Sequence, residues 1–157
     1  MRIGQGIDVH RFSDDADREL WLALVNVPES PGLAGHSDAD VATHALCDAL
    51  LGAANLGDLG RHFPDDDPAF GGVSSRQLLE ESVALVRVEG FQVVSADVTI
   101  IAERPKLALL IPAMSQELSS VLGATVSVKA TTFEGLGAIG HGEGIAASAV
   151  VLIEELA

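Results

Sequence analysis

The chain has 157 residues, 48 % of them hydrophobic, which is enough for one domain with a proper core and excludes intrinsic disorder. Acidic residues outnumber basic ones 23 to 9, and the resulting charge of −14 excludes holding nucleic acid by bulk electrostatics. A single cysteine excludes an internal disulfide and fits a reducing, cytoplasmic setting, and no run of about 18 apolar residues offers a membrane span.

Residues 2–10 read as a strand carrying Ile3, Ile7 and Val9. Residues 20–27 read as a second apolar strand, ended by Pro28, and 29–35 as a Pro/Gly loop. A helix then begins at Ser37 or Asp38, with Asp40 completing a loose capping box. Val41, Ala45, Leu46, Ala49, Leu50 and Ala53 form its apolar stripe, and Gly57 ends it. Residues 57–72 make a long Gly/Asp/Pro loop, of a length that often serves function. A second helix runs from Ser74 or Ser75 to Gly90, and 93–102 is a strand. Pro105 suits the first position of a third helix, which Pro112 restarts before it reaches Leu122. Residues 125–132 form another strand, a Gly-rich turn follows, and 145–154 closes the chain as a β-branched strand. This order predicts one domain over 1–157 in the α/β class (an α+β sandwich), with one sheet and its helices packed on one face.

Three clusters carry candidate chemistry. Asp8 and His10 lie two apart on a strand and face one way, while His44 sits beside the apolar stripe of the first helix. Two imidazoles and a carboxylate with an open fourth position suit catalytic zinc; the alternative is a set of packed, hydrogen-bonded groups. His36, Ser37 and Asp38 stand at a helix start, where free N–H groups attract anions; the alternative is capping alone. Thr131, Thr132 and Glu134 bring two hydroxyls and a carboxylate to a strand end, suited to phosphate and a hard cation, or else mark an ordinary strand exit. The G-x-G-x-x-G run over 135–140 is not a dinucleotide site, because too little chain follows for a crossover helix and another strand. Cys47 inside the helix reads as a small core residue.

Taken together, the segments 6–10, 36–41, 44–45, 48–53, 56–60 and 63–65 closely resemble the 2-C-methyl-D-erythritol 2,4-cyclodiphosphate synthase family. The segments 97–102, 105–106, 129–132 and 142–145 match in the same order, so the resemblance covers essentially the whole chain. It implies a homotrimer with active sites between subunits, acting on a small cytidine diphosphate substrate, and it fits the cytoplasmic setting, without nucleic acid or membrane as partner, that composition predicts. The implied reaction is that of a phosphorus–oxygen lyase of non-mevalonate isoprenoid biosynthesis. The 2-phosphate of 4-diphosphocytidyl-2-C-methyl-D-erythritol 2-phosphate attacks the β-phosphorus, CMP leaves, and a cyclic diphosphate forms.

The resemblance also implies roles. Asp8, His10 and His44 hold Zn²⁺, and Glu134 holds Mg²⁺ or Mn²⁺. His36 and Thr132 act in catalysis, and Ser37 helps to bind phosphate. Asp58, Leu59 and Gly60 hold the sugar, and Phe63, Pro64, Asp65, Asp66 and Asp67 cover the methylerythritol. Ala102, Glu103, Arg104, Pro105, Lys106, Leu107 and Ala108 make the cytidine pocket with Thr131, while Phe133 and His141 complete the substrate contacts. Departures from the family pattern occur at Gln5, Gly135, Ala138 and His141, and the last two bear on whether a central cavity takes isoprenoid diphosphates. Two other readings share the metal ligands: a zinc phosphoesterase, and a catalytically silent nucleotide-binding trimer.

Overall fold

The computed structural model describes residues 1–35, 37–64 and 72–156. Its elements are β1 (Arg2–Arg11), β2 (Leu20–Leu22), β3 (Val25–Val27), α1 (Val41–Ala53), α2 (Leu59–His62), α3 (Ser75–Val88), β4 (Phe91–Ile101), α4 (Ile111–Leu122), β5 (Thr125–Thr131), α5 (Gly137–Gly140) and β6 (Gly144–Glu155). The main sheet has the order β1-β6-β4-β5, with β6 antiparallel to both neighbours and β4 parallel to β5. The parallel pair needs a crossover, and α4 supplies it. Helices α1, α3 and α4 cover one face, as the order of elements predicts.

Two glycines fix how β1 meets α1. A Cβ on Gly4 would lie 1.8 Å from the Ala49 carbonyl oxygen, and one on Gly6 would lie 2.0 Å from that of Ala45. The inward face of β1 therefore starts with no side chains and continues to Asp8 and His10. Ile3, Ile7 and Val9, read above as the apolar content of the strand, point the other way and are 73, 65 and 58 % exposed. With Val150 at 44 %, they leave the far face of the sheet apolar and open in the single chain.

Several local expectations shift. Residues 20–27 are a hairpin, not one strand, because Ala23 and Leu24 turn the chain with φ of 50° and 65°. Neither is glycine, and the turn is held by the buried Asp40, whose carboxylate accepts from both backbone N–H groups at 2.8 and 2.7 Å. Asp40, not Ser37 or Asp38, is also the N-cap of α1, accepting from the N–H and hydroxyl of Thr43. A carboxylate that serves two turns at once outcompetes the earlier candidates, whose side chains bond elsewhere. Helix α1 ends at Ala53, ahead of Gly57. Pro105 lies in a connecting turn, and the third long helix starts at Ile111 with Pro112 in its first turn, where no N–H is required. The second long helix has the predicted start, with Ser74 and Gln77 forming a reciprocal capping box. Among the described residues, no helix is long and apolar enough to cross a membrane.

Candidate active site

Strand alternation and helix periodicity bring the first cluster together. Asp8 and His10 project from β1 onto α1, and His44 projects from the first turns of α1 toward them. Asp8 Oδ2 lies 3.0 Å from His10 Nε2 and 3.1 Å from His44 Nδ1. One ligand atom from each residue falls within 4.8 Å of the others. A tridentate set with this spacing, composed of one carboxylate and two imidazoles, fits a tetrahedral cation with one open position. The outer nitrogen of His10, Nδ1, is 2.7 Å from the Ala34 carbonyl oxygen, which fixes the ring with Nε2 toward the cluster.

The electrostatics agree with this geometry. Burial opposes a charge on Asp8, but hydrogen bonds and attraction from His10 and His44 outweigh it and hold the carboxyl well below its usual range. The hydrogen bond that His10 donates to Asp8 raises the pKa of His10 above its ordinary value, against the effect of burial.

A cavity of about 370 Å³ opens from the cluster. Its walls include Ser37, Asp58, Leu59, Gly60, Phe63 and Pro64, all expected from the sequence to touch substrate. Asp58 caps the short helix α2 by accepting from Arg61 N–H at 3.0 Å. That helix lies inside the segment read from sequence as an unbroken loop. His36, Asp65, Asp66 and Asp67 lie outside the described residues.

The wall also holds residues that the sequence reading did not single out: Asp48, Val73 and Leu78. Asp48 follows His44 by one helical turn, a spacing that places both on one face and could have flagged it. It accepts from Leu59 N–H at 2.8 Å, which ties the wall of α2 to α1. Burial, together with the nearby charges of Asp58 and Asp8, raises its pKa. Arg18 is a second addition. Its guanidinium donates to the carbonyl oxygens of Leu33, Gly35 and Ser37, and so braces the approach to α1.

The remaining candidates gather elsewhere. Thr132 Oγ1 is 3.2 Å from Glu134 Oε1, and Glu103 accepts from Phe133 N–H at 2.9 Å. Register places Ile101 beside Thr131, Ile101 beside Ala146, and Ile145 beside His10. The Thr131–Glu134 end of β5 and the turn over 102–108 thus share an edge of the sheet with His10. Strands β6 and β4 intervene, however, a separation of roughly 14 Å. Within one chain the structure brings Asp8, His10, His44, Ser37, Asp58, Leu59, Gly60, Phe63 and Pro64 into one cavity, and it leaves Ala102, Glu103, Arg104, Pro105, Lys106, Leu107, Ala108, Thr131, Thr132, Phe133, Glu134 and His141 off its walls.

Comparison with known proteins gives a consistent picture. Residues 1–154 match the sequence model of the YgbB family. The chain is 54 % identical over 156 residues to 2-C-methyl-D-erythritol 2,4-cyclodiphosphate synthase of Trichlorobacter lovleyi, covering 98 % of each chain. It is 52 % identical over 158 residues to the protein of the same name from Geobacter sulfurreducens, covering 99 % of each. Among solved structures, it superposes on the bifunctional IspDF of Campylobacter jejuni with a TM-score of 0.93 and 40 % identity, spanning 99 % of this chain and 42 % of that one. The CDP complex of Plasmodium falciparum IspF gives a TM-score of 0.85 at 29 % identity, with 99 % and 97 % covered.

Proposed function

The chain belongs to the YgbB family, and on that premise we propose that it converts 4-diphosphocytidyl-2-C-methyl-D-erythritol 2-phosphate to the 2,4-cyclodiphosphate with release of CMP. The observation that carries this reading is the meeting of Asp8, His10 and His44 at the head of a cavity lined by Ser37 and by Asp58, Leu59 and Gly60. The reaction joins two phosphate groups of one molecule, and like charge resists that approach. A chain with a net charge of −14 can bring them together only with cations and aimed donors.

Asp8, His10 and His44 would hold Zn²⁺, which when bound neutralises and polarises the β-phosphate. Ser37 donates its hydroxyl to phosphate oxygen. Asp58 and the backbone of Leu59 and Gly60 hold ribose hydroxyls, and Phe63 and Pro64 exclude water from the reacting end. His36 and Thr132 stabilise charge that develops during transfer, and Glu134 would hold Mg²⁺ or Mn²⁺ against the diphosphate. Asp65, Asp66 and Asp67 meet the methylerythritol hydroxyls. The backbone and side chains of residues 102–108, with Thr131, Phe133 and His141, receive the cytidine end. Fixing both phosphates in one geometry removes the entropy cost of their encounter.

Two features of the single chain support a homotrimer with sites between subunits. The Thr132–Glu134 cluster is separated from the metal ligands of β1 by two intervening strands, and the sheet face bearing Ile3, Ile7 and Val9 is apolar and uncovered. β1 and β5 are the two edge strands of the sheet, so a trimer that packs the apolar faces inward and sets the β5 edge of one subunit beside the β1 edge of the next would bring Thr132 toward its neighbour's Asp8. A lone buried thiol and a small-molecule substrate suit a cytoplasmic lyase.

The test is incubation of the purified chain with Mg²⁺ and the cytidyl substrate, followed by mass spectrometry. Equal amounts of CMP and cyclic diphosphate are expected. CMP with a linear product would make the protein a phosphoesterase, and absence of turnover with zinc bound would make it a silent nucleotide-binding trimer. Either result overturns the proposal.

A further inference from the structure

Behind His44 stand two polar residues, Ser75 and Asp38, that the proposed reaction does not use. Ser75 is the first residue of α3, immediately after the capping Ser74, and it is fully buried. Its Oγ lies 3.0 Å from His44 Nε2, the ring nitrogen that faces away from Asp8. Its hydroxyl donates to Asp38 Oδ1, and its backbone N–H donates to Asp38 Oδ2 at 2.9 Å. Ser37 Oγ is also within reach of Nε2 at 3.2 Å, and accepts from Ala39 N–H at 3.1 Å.

Counting protons along this chain fixes the histidine. A carboxylate can only accept, so the single Ser75 hydroxyl proton is committed to Asp38. Ser75 Oγ then shows His44 only lone pairs. A bare Nε2 at 3.0 Å would set lone pair against lone pair in a buried site, whereas a protonated Nε2 donates to Ser75 and Ser37 together. With Nε2 holding its proton toward Ser75, the proton that a cation displaces is the one on Nδ1, which faces Asp8 Oδ2 at 3.1 Å, and the lone pair so freed on Nδ1 is the ligand.

We propose that Asp38 and Ser75 are positioning residues of the metal centre: Asp38 orients the Ser75 hydroxyl, and Ser75 holds His44 in the tautomer and rotation that present bare Nδ1 to the cation. The inference rests on the metal reading given above. It gives α3 a part in the site, since the same serine anchors the start of that helix to the turn before α1. It also explains why two serines adjoin at 74 and 75, one to cap and one to face inward.

The experiment measures Zn²⁺ affinity, without substrate, by competition with a chromophoric chelator. Asp38→Asn is close to isosteric, but its amide can donate to Ser75 and release the hydroxyl proton toward Nε2, which favours the wrong tautomer. Asp38→Asn and Ser75→Ala are each expected to weaken zinc binding by about 10–100-fold. A readout on the wild-type chain covers the case in which a variant does not fold. Long-range ¹H–¹⁵N spectra of the zinc-loaded protein should show a slowly exchanging His44 Nε2 proton. Wild-type affinity in folded Asp38→Asn, or a freely exchanging Nε2 proton, would overturn the inference while leaving the metal site intact. A wild-type chain that takes up no zinc would overturn the metal reading, and this inference with it.

Discussion

Asp8 Oδ2 and His44 Nδ1 lie 3.1 Å apart although 36 positions separate the two residues in the chain. Contact between a strand and a helix is needed to bring them together, and it depends on the glycines of β1. His44→Ala removes one of the three proposed ligands and leaves Asp8 and His10 as a pair. Zinc content is expected to fall from about one per chain to near zero. CMP release should fall by more than the roughly 100-fold that an outer-shell partner commands. Retention of metal and turnover in this variant would move the ligand set elsewhere.

Gly6→Ala tests the contact that assembles the site. The added methyl would sit 2.0 Å from the Ala45 carbonyl oxygen and 2.8 Å from Ala49 N, both backbone atoms of α1. Neither can move as a side chain would, so the cost should exceed the usual 1–3 kcal/mol of overpacking, reaching about 3 kcal/mol or more. Urea denaturation measures it, and an unchanged midpoint would mean that β1 and α1 separate freely.

Asp40→Ala removes the acceptor shared by Ala23 N–H, Leu24 N–H, Thr43 N–H and the Thr43 hydroxyl. All four donors are buried with it, and unpaired buried donors cost about 1–3 kcal/mol each before relaxation. A loss of at least about 3 kcal/mol in thermal or urea unfolding is expected. A smaller loss than a surface cap shows, about 1 kcal/mol, would count against the shared-turn role.

Asp48→Asn should stabilise the metal-free protein at neutral pH. Burial, with the charges of Asp58 and Asp8 beside it, raises the carboxyl pKa in the fold above its unfolded value. An ionised group with a raised pKa subtracts from stability at pH above its folded value, and the deficit disappears as pH falls below the unfolded value near 4. The asparagine oxygen can still accept from Leu59 N–H. The variant should therefore melt higher than wild type at pH 7 and equal to it near pH 3.5. A lower melting point at pH 7 would show that the charge is fully compensated within the fold.

Cys47 is completely buried, and that burial pushes its thiol pKa far up. It should resist a thiol reagent in the folded protein and react fully in denaturant. Rapid labelling of the native state would place it at a surface and contradict its part in the core.

Much of this was legible in the sequence because it is local or periodic. Alternation set Asp8 beside His10, the helical stripe placed His44 at the core edge, and the order of strands and helices gave a one-sheet fold. Residue type and spacing offered these three as a possible zinc set beside a packed, hydrogen-bonded alternative, and the family resemblance favours the ligand set. What failed were choices between equivalent local signals. Ser37, Asp38 and Asp40 are all good caps on paper, and only the hairpin turn at Ala23 and Leu24, a contact across 16 and 17 positions, selects Asp40. Ile3, Ile7 and Val9 mark the first strand by their apolar character but do not say which of its sides is covered, and the side with glycines faces the helix, because close backbone approach requires the absence of a Cβ. The roles of Asp48 and Ser75 rest on contacts with Leu59 and His44 that no periodicity encodes. Residue type and spacing thus determined which groups are available and which way they face along one element. Only the packing of separate elements decided which of them meet, because a hydrogen bond or a ligand set depends on distances that the linear order of the chain does not contain.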